Sequence, residues 1–124
     1  MSKIGFIGLG IMGRPMAQHL QAAGHQLFVL KHRSSLPQEL LDGGAITCAS
    51  AKEVAQKADI IIAIVPDTPQ VKELLFDKNG LAAGLGNGKL FIDMSSISPI
   101  ETKEFASQLN ALGCDYLDAP VSGG

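Results

Sequence analysis

The sequence predicts an α/β domain built on a doubly wound parallel sheet with helices on both faces. Short apolar runs alternate with segments of helical length along the whole chain. Several of these runs are continuously apolar, as in strands covered on both faces. With 124 residues, 46% hydrophobic residues and a mean hydropathy of +0.22, the chain can form one domain with a substantial core.

We expect six strands, each defined by an apolar run, and five helices between them. The strands are predicted at 3–8, 25–30, 45–47, 59–65, 89–94 and 115–119. The helices are predicted at 12–24, 36–44, 50–58, 68–76 and 98–113. Helix-length segments between successive strands favour parallel pairing, because the chain must cross back after each strand. The glycine-rich stretch 79–88 is expected to be a loop.

Helix starts are marked by capping residues and by prolines suited to the first turn. Ser50 and Ser98 each precede a glutamate by three positions, which is the capping-box pattern. Thr68 is expected to cap the fourth helix, with Pro69 at its first helical position. Pro99 is expected at the first position of the fifth helix. These signals divide the chain without an internal repeat or a linker.

Composition and charge exclude several classes of function. A net charge of −2 and a pI of about 5.8 give no electrostatic case for nucleic acid or an anionic membrane. The apolar run 60–65 is too short to cross a bilayer, and we expect a cytoplasmic protein. Cys48 and Cys114 are expected to be reduced thiols, and the histidines do not cluster at ligand spacing, so we predict no metal.

A glycine motif follows the first predicted strand and opens the first predicted helix. It comprises Gly8, Leu9, Gly10, Ile11, Met12 and Gly13, a complete G-x-G-x-x-G. In this position Gly8 permits a tight turn, Gly10 lets a pyrophosphate approach the backbone, and Gly13 lets the helix pack closely on the strand. The amides at the helix start would hold the phosphates. The motif predicts a dinucleotide-binding domain of the Rossmann type over 1–124, the alternative being a structural turn without a ligand.

The end of the second predicted strand bears on the choice of dinucleotide. The residues that follow it are Lys31, His32, Arg33 and Ser34. An acidic residue here would bind a free ribose 2′-hydroxyl, whereas a cationic cluster suits a 2′-phosphate. We therefore predict NADP(H) in preference to NAD(H). An ordinary basic surface turn is the alternative.

Three later strands end in residues suited to a ligand site. Val65 and Pro66 stand at the end of the fourth strand, the serines at 95 and 96 follow the fifth, and residues 122–124 follow the sixth. The carboxyl ends of parallel strands meet at one edge of a sheet, where ligands bind. Taken singly, these segments could be a strand stop, a capping turn and a plain turn. Their occurrence at a common edge favours a binding site.

Four segments together resemble the N-terminal domain of the β-hydroxyacid dehydrogenase family. They read GFIGLGIMGRPM, VPDTPQV, DMSSISPIETK and DYLDAPVSGG, and the resemblance covers essentially the whole chain. It implies that 8–13 bind the pyrophosphate and that 31–34 lie by the adenosine ribose. It further implies a nicotinamide side lined by Val65, Pro66 and Ser96, and a substrate-carboxylate loop formed by Ser122, Gly123 and Gly124. Asp118 is expected to fix this loop rather than to do chemistry.

The resemblance also implies features beyond this chain. A general acid/base lysine is expected after Gly124, together with a helical domain that closes the substrate pocket, so no catalytic residue is expected here. The implied activity is reversible reduction of a small semialdehyde acid, such as tartronate semialdehyde, to a β-hydroxyacid. Oxidation of 3-hydroxyisobutyrate, or a non-catalytic dinucleotide-binding module, is the alternative. We expect a small carboxylate substrate, a homo-oligomer formed through the missing domain, and exposed apolar surface near the last strand.

Overall fold

The computed structural model describes residues 2–8, 13–30, 38–64, 68–95 and 99–119. Its strands are β1 (Lys3–Ile7), β2 (Gln26–Leu30), β3 (Ile46–Cys48), β4 (Ile60–Ala63), β5 (Leu90–Asp93) and β6 (Asp115–Asp118). Its α-helices are α1 (Gly13–Ala22), α2 (Gln38–Asp42), α3 (Ala51–Lys57), α4 (Thr68–Phe76) and α5 (Pro99–Ala111). Strand and helix alternate along the chain as the sequence predicts.

The strands form one parallel sheet in the order β3-β2-β1-β4-β5-β6. β1 is central and pairs with β2 on one side and with β4 on the other. This order is that of the doubly wound dinucleotide-binding fold, in which the chain first builds one half of the sheet and then the other. The predicted fold class is confirmed.

Two apolar clusters cover the two faces of the sheet. One includes Ala17 of α1 and Leu40 of α2, packed with Phe6 and Leu27 from the sheet. The other, larger cluster joins the sheet to α3, α4 and α5; its helical members are Ala51, Val54, Ala55, Val71, Leu75, Phe105 and Leu109. Because both faces are covered, the central strands are apolar on both sides, which accounts for the continuous apolar runs.

The predicted helix boundaries are largely correct. Gly24 adopts φ +95° after α1, and the Ser50 hydroxyl accepts a hydrogen bond from the Glu53 amide at the start of α3. Pro99 is the first residue of α5, as predicted. The prediction for Thr68 is wrong by one position, because α4 begins at this residue rather than after it. A helix end often varies by a residue, since its first amides have no partner within the helix.

One short element was not predicted. Leu81–Ala83 forms a 3-10 helix within the stretch 79–88, where the sequence predicts only a loop. Leu81 is fully buried and belongs to the larger apolar cluster. A single 3-10 turn has no periodic apolar pattern to mark it, and the surrounding glycines favour a loop prediction.

The edge of the sheet at which the strands begin is closed by the protein's own polar groups. Lys89, directly before β5, donates from Nζ to the carbonyl oxygens of Ala55, Gln56 and Ala58 at 2.5, 3.1 and 2.7 Å. These carbonyls lie at the end of α3, where the last carbonyl groups of a helix have no amide partner within the helix. The ammonium also complements the negative end of the helix dipole.

Among the described residues, no helix combines the length and apolar character needed to cross a bilayer.

Candidate functional site

The candidate site lies where β1 and β4 end side by side. The connection after β1 leads to β2 on one side, and the connection after β4 leads to β5 on the other, so this is the switch point of the sheet order. Open parallel sheets bind ligands in the crevice outside this point. Gly8 directly follows β1, and Gly13 is the first residue of α1. Both described glycines of the predicted motif therefore lie at the switch point.

Close packing at this point requires both glycines. Gly8 has φ +100°, in the left-handed region, and a Cβ there would collide with the backbone oxygen of Ile64. A Cβ on Gly13 would collide with the backbone oxygen of Gly8. The end of β1, the start of α1 and the residue after β4 thus meet with no room for side chains between them, as a pyrophosphate-binding turn requires.

The start of α1 suits an anion. The ten-residue helix has no acidic residue in its first turn, and its amino end opens at the switch point. Unpaired amides and the helix dipole favour phosphate groups there. With the two glycines, these features fit a dinucleotide cofactor. Gly8 and Gly13 would form the backbone of its pyrophosphate site.

Most of the predicted site residues lie outside the described residues. These are Leu9, Gly10, Ile11, Met12, Lys31, His32, Arg33, Ser34, Val65, Pro66, Ser96, Ser122, Gly123 and Gly124. The described residues that adjoin these segments are Gly8, Leu30, Ile64, Ser95 and Ala119. Each of these follows or ends a parallel strand, so all five segments start from the carboxyl edge of the sheet.

An ion pair links the first two helices at this edge. Nη2 of Arg14 donates to Oε1 and Oε2 of Glu39 at 2.7 and 2.8 Å. The pair is exposed and adds little stability, because water screens it. A backbone hydrogen bond and then the Arg14 guanidinium hold the pKa of the Glu39 carboxyl below its ordinary value. Glu39 is the first carboxylate after β2, and it is paired within the protein.

A buried carboxylate ends β5. Asp93 is fully buried, and its Oδ1 accepts a hydrogen bond from the Ser95 amide at 2.9 Å. Its Oδ2 accepts from the Tyr116 hydroxyl of β6 at 2.6 Å. The Tyr116 ring also packs on Phe91 with a centroid separation of 5.3 Å. Sequence reasoning missed this cluster, because Asp93 and Tyr116 meet only through the pairing of β5 with β6.

The cluster has a defined protonation pattern. Burial first, and then the hydrogen bond to Asp93, raise the pKa of the Tyr116 hydroxyl above its ordinary value. Tyr116 therefore stays protonated and donates, while Asp93 accepts. Asp118, which the sequence suggested would fix the following loop, is exposed at the end of β6. Among the residues that the structure describes, the buried carboxylate at this edge is Asp93.

The two cysteines are buried. Cys48 ends β3 and Cys114 precedes β6, far apart in the sheet order. Desolvation raises the pKa of both thiols, which lowers the fraction of reactive thiolate. Within the described ranges, no three histidine, cysteine, aspartate or glutamate side chains come together as metal ligands would.

Comparison with known proteins places the chain in a family. Residues 3–124 match the family described as the NAD binding domain of 6-phosphogluconate dehydrogenase. The chain belongs to this nucleotide-binding family. Its relatives include β-hydroxyacid dehydrogenases, the class that its motifs resemble.

Its relatives are oxidoreductases. The chain is 58% identical over 122 residues to 2-hydroxy-3-oxopropionate reductase of Escherichia coli, covering 98% of this chain and 41% of the relative. It is 40% identical over 121 residues to 3-sulfolactaldehyde reductase of the same species, with the same coverage of 98% and 41%. The chain thus spans about two fifths of the length of these relatives.

Solved structures share the fold, and one of them is a complex with NADP+. 3-Hydroxyisobutyrate dehydrogenase from Salmonella typhimurium superposes with a TM-score of 0.89 at 35% identity, over 100% of this chain and 43% of that one. An imine reductase from Myxococcus stipitatus, in complex with NADP+, superposes with a TM-score of 0.85 at 25% identity, over 98% of this chain and 41% of that one. This chain is an NAD(P)-binding domain.

Proposed function

We propose that this chain is the NADP(H)-binding domain of an oxidoreductase that reversibly reduces tartronate semialdehyde to glycerate. The observation that carries the proposal is the 58% identity to 2-hydroxy-3-oxopropionate reductase across nearly the whole chain. The glycine turn at the switch point supplies the physical support, because it suits the pyrophosphate of a dinucleotide.

A bound nicotinamide would supply the hydride for the carbonyl carbon, and the carbonyl oxygen would take a proton. This chain's part is to bind and orient. Gly8 permits the tight turn, Gly10 lets the pyrophosphate approach the backbone, and Gly13 lets α1 pack closely on β1. Val65, Pro66 and Ser96 line the nicotinamide side. Ser122, Gly123 and Gly124 hold the substrate carboxylate through a hydroxyl and backbone amides. As part of this proposal, we expect the proton to come from a general acid/base lysine after Gly124, and a helical domain to close the pocket and form the homo-oligomer.

The preference for NADP(H) comes from the four residues after β2. Lys31, His32, Arg33 and Ser34 offer positive charge and a hydroxyl to a 2′-phosphate. Glu39, the first carboxylate after these residues, already accepts hydrogen bonds from Arg14. Its pairing with Arg14 supports the proposal that no carboxylate binds the ribose 2′-hydroxyl.

Calorimetric titration with NADPH and NADH tests the cofactor proposal. We expect tighter binding of NADPH, and Arg33→Ala should weaken it roughly tenfold or more, the worth of a charge-assisted hydrogen bond, while leaving NADH unchanged. Lys103→Ala removes an exposed cation from α5 and serves as the charge-matched control. Tighter binding of NADH, or equal loss in both variants, would overturn the proposed selector without affecting the family assignment.

The substrate is tested on the product of the complete reading frame by following NADPH oxidation. Tartronate semialdehyde should give the highest kcat/KM. The semialdehyde of 3-hydroxyisobutyrate is the second candidate, favoured by the structural match to the Salmonella enzyme. A higher kcat/KM for the latter would reassign the substrate. No turnover with either compound, together with intact NADPH binding, would favour the non-catalytic module.

A further inference from the structure

The Asp93 carboxylate at the end of β5 is buried, so protein groups rather than bulk water must hydrogen-bond to it. The Asp93 side chain has 0% exposure, and a buried carboxylate is costly unless its oxygens are hydrogen-bonded. Each of its oxygens has such a partner: the Ser95 amide for Oδ1 and the Tyr116 hydroxyl for Oδ2. The two partners lie on different segments, the turn after β5 and the strand β6. One side chain therefore fixes two segments relative to each other.

Backbone hydrogen bonds extend this linkage across three strand ends. The Met94 amide donates to the Ala63 carbonyl of β4 at 2.8 Å. The Ala119 amide, directly after β6, donates to the Asp93 carbonyl at 2.9 Å. Residues at the ends of β4, β5 and β6 are thus joined around Asp93. The chain continues from this cluster into the segments that begin at 96 and at 120.

The sheet order says which half of a dinucleotide this cluster faces. A dinucleotide lies across the switch point, with one mononucleotide over each half of the sheet. The ribose that follows the glycine turn is read at the end of β2, so the adenosine half lies over β1, β2 and β3. The nicotinamide half therefore lies over β4, β5 and β6, where Asp93 and Tyr116 are.

A purely structural link would not need a carboxylate here. The packing of Tyr116 on Phe91 already joins β6 to β5, and apolar replacement of buried charges is often neutral or stabilising. The carboxylate adds a fixed geometry for two hydrogen-bond donors. It holds the Ser95 amide and the Tyr116 hydroxyl at fixed points of one edge. Because the pKa of Tyr116 is raised, its proton stays on the hydroxyl and the pair is not an acid/base couple.

We infer that Asp93 and Tyr116 are positioning residues for the nicotinamide half of the site. They hold the turn at Ser95 and the end of β6 in the arrangement that receives the nicotinamide and its substrate. The inference rests on the proposed function, since it presumes a nicotinamide dinucleotide. It predicts that breaking the Asp93–Tyr116 hydrogen bond affects one end of the cofactor and not the other.

Two ligands separate this role from a general structural one. NADPH carries the nicotinamide, whereas 2′-phospho-ADP-ribose has the same adenosine half and pyrophosphate without it. Tyr116→Phe keeps the ring on Phe91 and removes only the hydroxyl. We expect this variant to bind NADPH roughly tenfold more weakly, as for a lost hydrogen bond to a charged group, and to bind 2′-phospho-ADP-ribose as the wild type does.

Substitutions of Asp93 provide a second, independent test. In Asp93→Asn the amide oxygen can still accept from Ser95, and the amide nitrogen can donate to the Tyr116 oxygen. This variant should keep most of the NADPH affinity, whereas Asp93→Ala should lose at least as much as Tyr116→Phe. Lys89→Met is the matched control, because it removes part-buried hydrogen bonds just before the opposite end of the same strand. It should leave binding of both ligands unchanged.

The outcomes are distinct. Selective loss of NADPH affinity in Tyr116→Phe and Asp93→Ala, with rescue in Asp93→Asn, supports the inference. Equal weakening of both ligands, or unchanged NADPH affinity in both variants, overturns it. If Tyr116→Phe does not fold, the comparison of NADPH binding by Asp93→Asn and Asp93→Ala tests the inference. A wild-type protein that binds neither ligand would instead refute the proposed cofactor function itself.

Discussion

Strand β5 has a charged side chain at each end, and the two ends differ in what those charges hold. At its start, Lys89 donates to three carbonyls at the end of a single helix, α3. At its end, Asp93 accepts from the following turn and from a neighbouring strand. The first arrangement closes one helix, whereas the second connects several segments of the edge at which a ligand is expected. Polar groups at the two ends of one strand can therefore differ in role: one closes a helix, and the other is proposed to position a site.

Two glycines with positive φ differ in the same way between the two edges of the sheet. Substitution of one of them has the largest expected effect on the free energy of unfolding. Gly8 lies at the switch point and Gly24 at the opposite edge, both with positive φ. Gly8→Ala should destabilise the fold by about 3 kcal/mol or more, because backbone strain adds to a collision with Ile64. The measurement is the free energy of unfolding from denaturant titration.

Gly24→Ala is the control for this pair. No atom lies within 4 Å of a Cβ built there, so only the strain remains and the cost should be about 1 kcal/mol. Equal losses in the two variants would show that the close approach of β1, α1 and β4 contributes nothing beyond backbone strain.

The next effect concerns the start of β5. Lys89→Met should lower the free energy of unfolding by about 2 kcal/mol, because three carbonyls lose a charged donor and partly buried acceptors are left unpaired. Thermal and denaturant unfolding measure it. Lys57→Met removes an exposed ion pair with Glu53 on α3. It should lower the free energy of unfolding by well under half as much. A comparable loss in both would argue against a capping role for Lys89.

The last effect concerns the end of β5 and develops only under alkaline conditions. The pKa of Tyr116 is higher in the folded than in the unfolded state, where it is about 10. The folded state thus keeps the proton more tightly, and this stabilisation is complete below that pKa and is lost as the pH rises above it. Tyr116→Phe should remove this part of the alkaline decline.

Tyrosinate absorbance gives a direct readout of the same group. Tyr116 is the only tyrosine, and the sequence has no tryptophan. The folded protein should show no tyrosinate signal near pH 10, and alkaline or denaturant unfolding should produce it. Ionisation near pH 10 without unfolding would contradict the buried Asp93–Tyr116 hydrogen bond.

The elements were predictable from sequence because local signals determine them. Continuous apolar runs marked the strands, and Gly24, Ser50 and Pro99 marked helix boundaries that the structure confirms. The glycine motif was predictable for the same reason: a turn between a strand and a helix is a local feature. Its two described members, Gly8 and Gly13, lie where the motif requires them.

The polar contacts between elements were not predictable. Asp93 meets Tyr116, Arg14 meets Glu39, and Lys89 meets the end of α3 across separations of 23, 25 and 31 to 34 residues. Each contact depends on which strands are neighbours and in what register, and no short window of sequence contains that information. An aspartate that ends a strand gives no sign of whether water or a neighbouring hydroxyl will solvate it.

The central place of β1 has a consequence for how the domain is made. Strand β1 needs partners on both sides, and one of them, β4, begins only at Ile60. Pairing of strands so distant along the chain is slow, because a long loop must close before the contacts form. The switch point is therefore completed late, after β4 has been added to a nascent half-sheet. A nucleotide can stabilise the finished domain by mass action, but it has no complete crevice to bind while the early strands assemble.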